Sequence, residues 1–169
     1  MPRIVLHVGH GKTGSSALQS SFALSVDALA AVGVHYPDHV SLTRAAAGEI
    51  SSGNAVTARL IYTAKAALED PAETVLLSNE VLFNDILSDE ALLPSLLDLC
   101  VPVEIVLYIR NPLKHAISSY GQSVKRGGSR LGLEEFLTAY RMPGKVAKFM
   151  RSVQGLGVHV RVLNYSNHL

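Results

Sequence analysis

Five short runs rich in β-branched residues, separated by stretches of helical spacing, constrain this chain more than any other feature. They are RIVLHV (3–8), a short VGVHYP (32–37), ETVLLSN (73–79), VEIVLYI (103–109) and VHVRVL (158–163). Between them, Leu18, Phe22, Val26 and Leu29 recur at helical intervals and predict a helix from about Ser15 to Ala31. Leu113, Ala116, Ile117, Tyr120 and Val124 predict another, with Asn111 as its cap and Pro112 at its first position. Further helices are expected around 53–69, 88–99, 133–140 and 144–154. Strands alternating with helices imply an α/β fold of three layers, a mostly parallel sheet with helices on both faces.

The 169 residues, 48% of them apolar, fit one domain with a sizeable core, 1–169. A formal net charge of +1 supplies no field for nucleic acid or a membrane surface, so any anion recognition must be local. No stretch approaches the roughly 18 uninterrupted apolar residues of a membrane span, and MPRIVLHV is too short for a signal peptide, so a cytoplasmic protein is expected. Cys100, in LLDLCVPVEIV, reads as a small buried hydrophobe. His7 reads as a core or strand-face residue, His115 as a solvated helix-face residue, and His35 and His39 as loop residues, while His159 and His168 lie too near the end to place. No pair of histidines has metal-ligand spacing, so no metal is expected. KRGGSRLG (125–132) reads as a mobile surface loop.

The segment HVGHGKTGSS joins the first strand to the first helix, where an open α/β sheet binds anions. Gly9, Gly11 and Gly14 allow a tight turn and close backbone approach, Lys12 supplies charge, and Thr13, Ser15 and Ser16 supply hydroxyls. With Gly11-Lys12-Thr13 in register, a Walker A loop would require glycine at position 6, which is Leu6, inside the strand. The VLYI strand ends in Arg110 rather than a metal-binding acid, although Glu80, after TVLLSN, is a possible substitute. Triphosphate with magnesium is therefore disfavoured. Arg110 at a strand end and Ser118 two turns into the following helix are placed to converge on one phosphate. Two anion sites at neighbouring strand ends suit a nucleotide phosphorylated at both ends of its ribose.

The pair HVGHGKTGSSALQ and YIRNPLKHAISSYGQ resembles the sulfotransferases that use 3′-phosphoadenosine 5′-phosphosulfate (PAPS), especially the bacterial and carbohydrate-directed branches. The resemblance spans roughly residues 3–125 and implies a P-loop-NTPase-like sulfotransferase fold. It implies Gly11, Lys12, Thr13, Gly14, Ser15 and Ser16 at the 5′ end of the donor, with Lys12 touching the transferring group, and Arg110 and Ser118 at the 3′ end.

In-line sulfuryl transfer needs an oriented hydroxyl, a base and positive charge at the leaving oxygen. Glu80 is the leading candidate base, since glycan-directed members of that family commonly use a glutamate; His10, inside the loop, is its competitor. The expected acceptor is a hydroxyl of a carbohydrate or glycolipid, with Tyr120, Lys125, Arg126 and Arg130 as candidate contacts. Proteins of that family run longer, and their last third closes over the 3′-phosphate and adenine. That implies a truncated chain, a short protein completed by a partner or homo-oligomer, or a remnant without turnover, and weak PAPS binding by this chain alone. The alternatives are a P-loop nucleotide kinase or NTPase, and a non-catalytic nucleotide-binding module.

Overall fold

A computed structural model describes residues 1–49 and 53–168. Its centre is a five-stranded, all-parallel sheet in the order β2-β3-β1-β4-β5. The strands are β1 (Arg3–Gly9), β2 (Val34–His35), β3 (Thr74–Asn79), β4 (Val103–Ile109) and β5 (His159–Asn164). Around them run α1 (Ser15–Leu24), α2 (Val26–Ala31), α3 (Leu42–Ala46), α4 (Leu60–Leu68), α5 (Leu82–Ser88), α6 (Leu92–Leu97), α7 (Pro112–Gly127), α8 (Leu133–Ala139), α9 (Met142–Gly155) and α10 (Tyr165–His168). The α/β architecture expected from the alternation of strand and helix is the one observed.

β1 lies between β3 and β4, with Ile4 opposite Val75 on one side and Val103 on the other. Ile4, Leu6 and Val8 meet Val75, Leu77, Ile105 and Leu107 in one apolar layer, covered by Leu60 and Ala64 of α4, Leu82 and Phe83 of α5, Leu96 of α6 and Phe149 of α9. Phe83 and Phe149 stack with centroids 4.9 Å apart. Among residues of the opposite parity, beneath α1, a polar cluster sits within apolar neighbours: His7 Nδ1 lies 2.8 Å from Ser78 Oγ, and Gln19 of α1 donates to the same hydroxyl at 3.5 Å. His7 is thus a core residue, as its place in the strand suggested.

Several boundaries differ from expectation. The helix expected from Ser15 to Ala31 is interrupted at Ser25, whose φ of −112° and ψ of 17° leave the helical region. The segment 53–69 opens with a non-helical stretch and a 3-10 turn (Thr57–Arg59), because Gly53 and Asn54 are committed to the edge of β3. β2 pairs with β3 only at Thr74 and Val75. Beyond it the Asn54 side chain takes the place of a neighbouring strand, accepting from Ser78 N at 2.7 Å and donating to Leu76 O at 2.9 Å. α3 and α5 are further helices that apolar spacing did not reveal, each being only five to seven residues long. Cys100 is exposed, not buried: it has a left-handed φ of 56° in the turn between α6 and β4, and the apolar run around it spans that turn.

Candidate anion-binding site

The carboxyl ends of the parallel strands gather the chemistry. The connection from β1 leads to the β2 edge and that from β4 to the β5 edge, so the crevice between these two strand ends is a topological switch point. A cleft of about 320 Å³ lies there. Gly11, Lys12, Gly14, Ser15 and Ser16 line it from the loop after β1, Glu80 from the end of β3, Arg110 from the end of β4 and Ser118 from α7.

The loop has a left-handed backbone at Gly11 (φ 67°), Lys12 (φ 57°) and Gly14 (φ 84°). For Lys12 this conformation costs roughly 1–2 kcal/mol, so it must be held from outside. Two contacts hold it: Arg110 Nη1 donates to the Lys12 carbonyl at 3.2 Å, and His115 Nε2 lies 3.1 Å from the Gly11 carbonyl. The N-cap position of α1 is Gly14, and no side chain among the described residues caps it, which leaves its first N–H groups and the positive end of its dipole available. Thr13 Oγ1 and Ser15 Oγ are buried with no partner among the described residues. Both crowd Gly9, where an added Cβ would stand 2.5 Å from Ser15 Oγ and 3.2 Å from Thr13 Oγ1. Glycine at position 9 is what permits the helix to start so close to the strand.

Across the cleft, the Arg110 guanidinium sits 4.9 Å from the centroid of the Tyr165 ring, and its Nε is a buried donor without a partner among the described residues. Asn111 caps α7, its side chain accepting from Leu113 N and Lys114 N, both at 3.1 Å. The helix then presents Ser118, Gln122 and Arg126 to the cleft at four-residue intervals. Arg126 forms no ion pair with a described residue, so Lys12, Arg110 and Arg126 line the cleft against the single carboxylate of Glu80. Gln122 and Tyr165 were not singled out from the sequence. The signals for them are the four-residue spacing from Ser118 and a tyrosine directly after a strand, at the same sheet edge as Arg110.

Thr13 belongs to the loop but is fully buried rather than lining the cleft. His10 points elsewhere. It packs against Phe83 (5.4 Å between centroids) and His115 (4.6 Å), and lines a separate cavity of about 220 Å³ with Ile109, Arg110, Tyr140 and Met142. Burial, and to a lesser degree the neighbouring His115, lower its pKa to about 4. His115 corrects the expectation of a solvated face: it is 2% exposed, because the first turn of α7 packs onto the loop after β1. Much of the predicted apolar stripe of α7 is correspondingly outward, with Leu113 60%, Ile117 51% and Val124 43% exposed, although Ala116, beside His115, is buried. Of the residues expected at the acceptor, Arg126 lines the cleft; Tyr120 instead donates to Leu131 O at 3.1 Å, and Lys125 and Arg130 lie outside the cleft lining. Among the described residues, no group of three or more His, Cys, Asp or Glu side chains is placed to share a metal ion, and no helix is long and apolar enough to cross a membrane.

No family model and no curated protein matches the chain. Among solved structures it is similar to a sulfotransferase from Alicyclobacillus acidocaldarius, with a TM-score of 0.53 and 14% identity over 98% of this chain and 74% of that one. The likeness is one of fold: the chain has a sulfotransferase-like α/β fold, and the likeness extends through β5, past the two sequence motifs.

Proposed function

We propose that this chain is a PAPS-dependent sulfotransferase that acts on a hydroxyl of a carbohydrate or glycolipid. The observation that carries this reading is the convergence of two anion-binding arrangements on one cleft: the Lys12 loop with the open N-terminus of α1, and Arg110 with Ser118. A donor with phosphate groups at both ends of its ribose matches that arrangement, and the partnerless Ser15 hydroxyl and Arg110 Nε, both on residues that line the cleft, are unused hydrogen-bonding capacity of the kind it would take up.

PAPS, when bound, supplies the sulfuryl group: its sulfur–oxygen bond to the 5′-phosphate breaks as one to the acceptor oxygen forms. Lys12 balances the negative charge left on the phosphate oxygen, and the loop N–H groups orient that end. Glu80, whose Cβ lies 3.8 Å from where a Cβ on Gly9 would stand, takes the acceptor's hydroxyl proton. Arg110, placed over the Tyr165 ring, and Ser118 bind the 3′-phosphate. Arg126, two turns beyond Ser118, adds a further positive charge to the lining of the cleft.

Incubation with radiolabelled PAPS and a panel of glycans and glycolipids tests the reading. Labelled product is expected with at least one acceptor, and Lys12→Ala should slow its formation roughly 100- to 1,000-fold, the usual cost of removing a charge-stabilising donor. No labelled product with any acceptor, or transfer undiminished in Lys12→Ala, would refute the assignment.

A further inference from the structure

Behind the loop, His10 and His115 face each other edge to face at an interplanar angle of 66°, and neither lines the cleft. His115 Nε2 is 3.1 Å from the Gly11 carbonyl oxygen and 3.1 Å from His10 Nδ1, while its Nδ1 is 2.7 Å from the Tyr140 hydroxyl and 3.3 Å from Ser119 Oγ. A carbonyl oxygen can only accept, so Nε2 carries the ring hydrogen. Burial lowers the pKa of the ring and favours its neutral form, so Nδ1 is the acceptor and Tyr140 O–H donates to it. These partners assign His115 to the neutral Nε2–H tautomer.

We propose that His115, oriented by Tyr140, is a positioning residue that sets the peptide planes of the anion-binding loop. A trans peptide points its N–H opposite to its C=O, so a Gly11 carbonyl held by His115 turns the Lys12 N–H away from α7. Arg110 does the same one residue later, holding the Lys12 carbonyl and so directing the Thr13 N–H. Two successive planes are thus fixed by side chains from the end of β4 and the start of α7. These two contacts offset the left-handed conformation of Lys12, the residue that must present its charge to the ligand. Tyr140, in the junction of α8 and α9, ties this setting to a third segment, about 130 residues along the chain from the loop. The ligand part of this inference rests on the cleft being the phosphosulfate site; the loop-setting part does not.

The test uses the full chain with His115→Leu, His115→Gln and Tyr140→Phe. Ring-nitrogen NMR should show His115 as the Nε2–H tautomer, and Tyr140→Phe should weaken that preference. The backbone amide resonances of Lys12 and Thr13 should shift and broaden in Tyr140→Phe and His115→Leu. The affinity for adenosine 3′,5′-bisphosphate should fall about 10-fold in both, as for loss of one well-placed hydrogen bond. His115→Gln, whose amide N–H reaches the same carbonyl, should recover most of it. An Nδ1–H tautomer, unmoved Lys12 and Thr13 resonances, or equal losses in the Leu and Gln variants would overturn the proposal. Should the wild-type chain not bind the bisphosphate, the reading of the cleft fails, and the tautomer and amide resonances still decide the positioning role.

Discussion

At the scale of single residues, the loop after β1 gives up stability to hold a left-handed turn. Lys12 holds a left-handed backbone that glycine adopts freely, so Lys12→Gly should stabilise the chain by about 1 kcal/mol while removing anion binding. Urea unfolding beside calorimetry checks both signs, and a destabilised Lys12→Gly variant would mean the backbone is not strained there. Gly9→Ala should do harm on both counts. Its methyl group would meet Ser15 Oγ at 2.5 Å and displace the start of α1, an overpacking cost of about 1–3 kcal/mol, whereas Gly121→Ala on α7 meets open space and should be neutral or slightly stabilising. Lys12, Arg110 and Ser118 were legible in the sequence because loop composition and strand ends announce them. The burial of His115 was not, because it depends on where the first turn of α7 meets a carbonyl more than 100 residues earlier in the chain. Nor was the place of Tyr165 beside Arg110, because it depends on β5 running parallel to β4.

At the scale of elements, α7 shows why periodicity located the helix but chose the wrong inner face. Of the apolar residues at helical spacing, Leu113, Ile117 and Val124 point outward and Ala116 alone is buried, while the polar set Ser118, Gln122 and Arg126 lines the cleft. An apolar stripe reports a buried face only when another element covers it. Arg126→Ala should weaken bisphosphate or acidic-acceptor binding several-fold at low ionic strength, with the difference shrinking in high salt because the side chain is exposed. Identical salt dependence of wild type and variant would place Arg126 outside the site. On the other flank, Asn54 stands in for a strand along β3. Asn54→Ala leaves the Ser78 N–H and the Leu76 carbonyl buried without their partners, at a cost of roughly 1–3 kcal/mol per group, measurable as a lowered urea midpoint. Sequence patterning predicts strands by their alternation; an asparagine replacing one leaves no such trace.

At the scale of the whole molecule, burial of histidines makes the fold acid-sensitive. His7 and His10 are both held neutral, their pKa values lowered from 6.5 to about 4, chiefly by desolvation. Below pH 6.5 the unfolded chain takes up protons that the folded chain refuses, so stability is lost as pH falls from 6.5 toward about 4. Each group contributes a slope approaching about 1.4 kcal/mol per pH unit. Urea denaturation across that window should show a steadily falling midpoint, shallower in His7→Gln; a flat profile would mean that neither ring is buried in the neutral form. The alternation of strand and helix made the α/β class legible, while the order of strands and the switch point between β1 and β4 were beyond it, since they depend on which crossover covers which face. That switch point brings two separate motifs to one cleft, which under the proposed function reads a nucleotide at both ends of its ribose. Calorimetry of adenosine 3′,5′-bisphosphate against AMP, in wild type and Arg110→Ala, tests this most directly. The bisphosphate should bind the wild-type chain more tightly, and Arg110→Ala should abolish the difference. Equal binding of the two ligands by the wild-type chain, or a preference that survives in Arg110→Ala, would contradict the account.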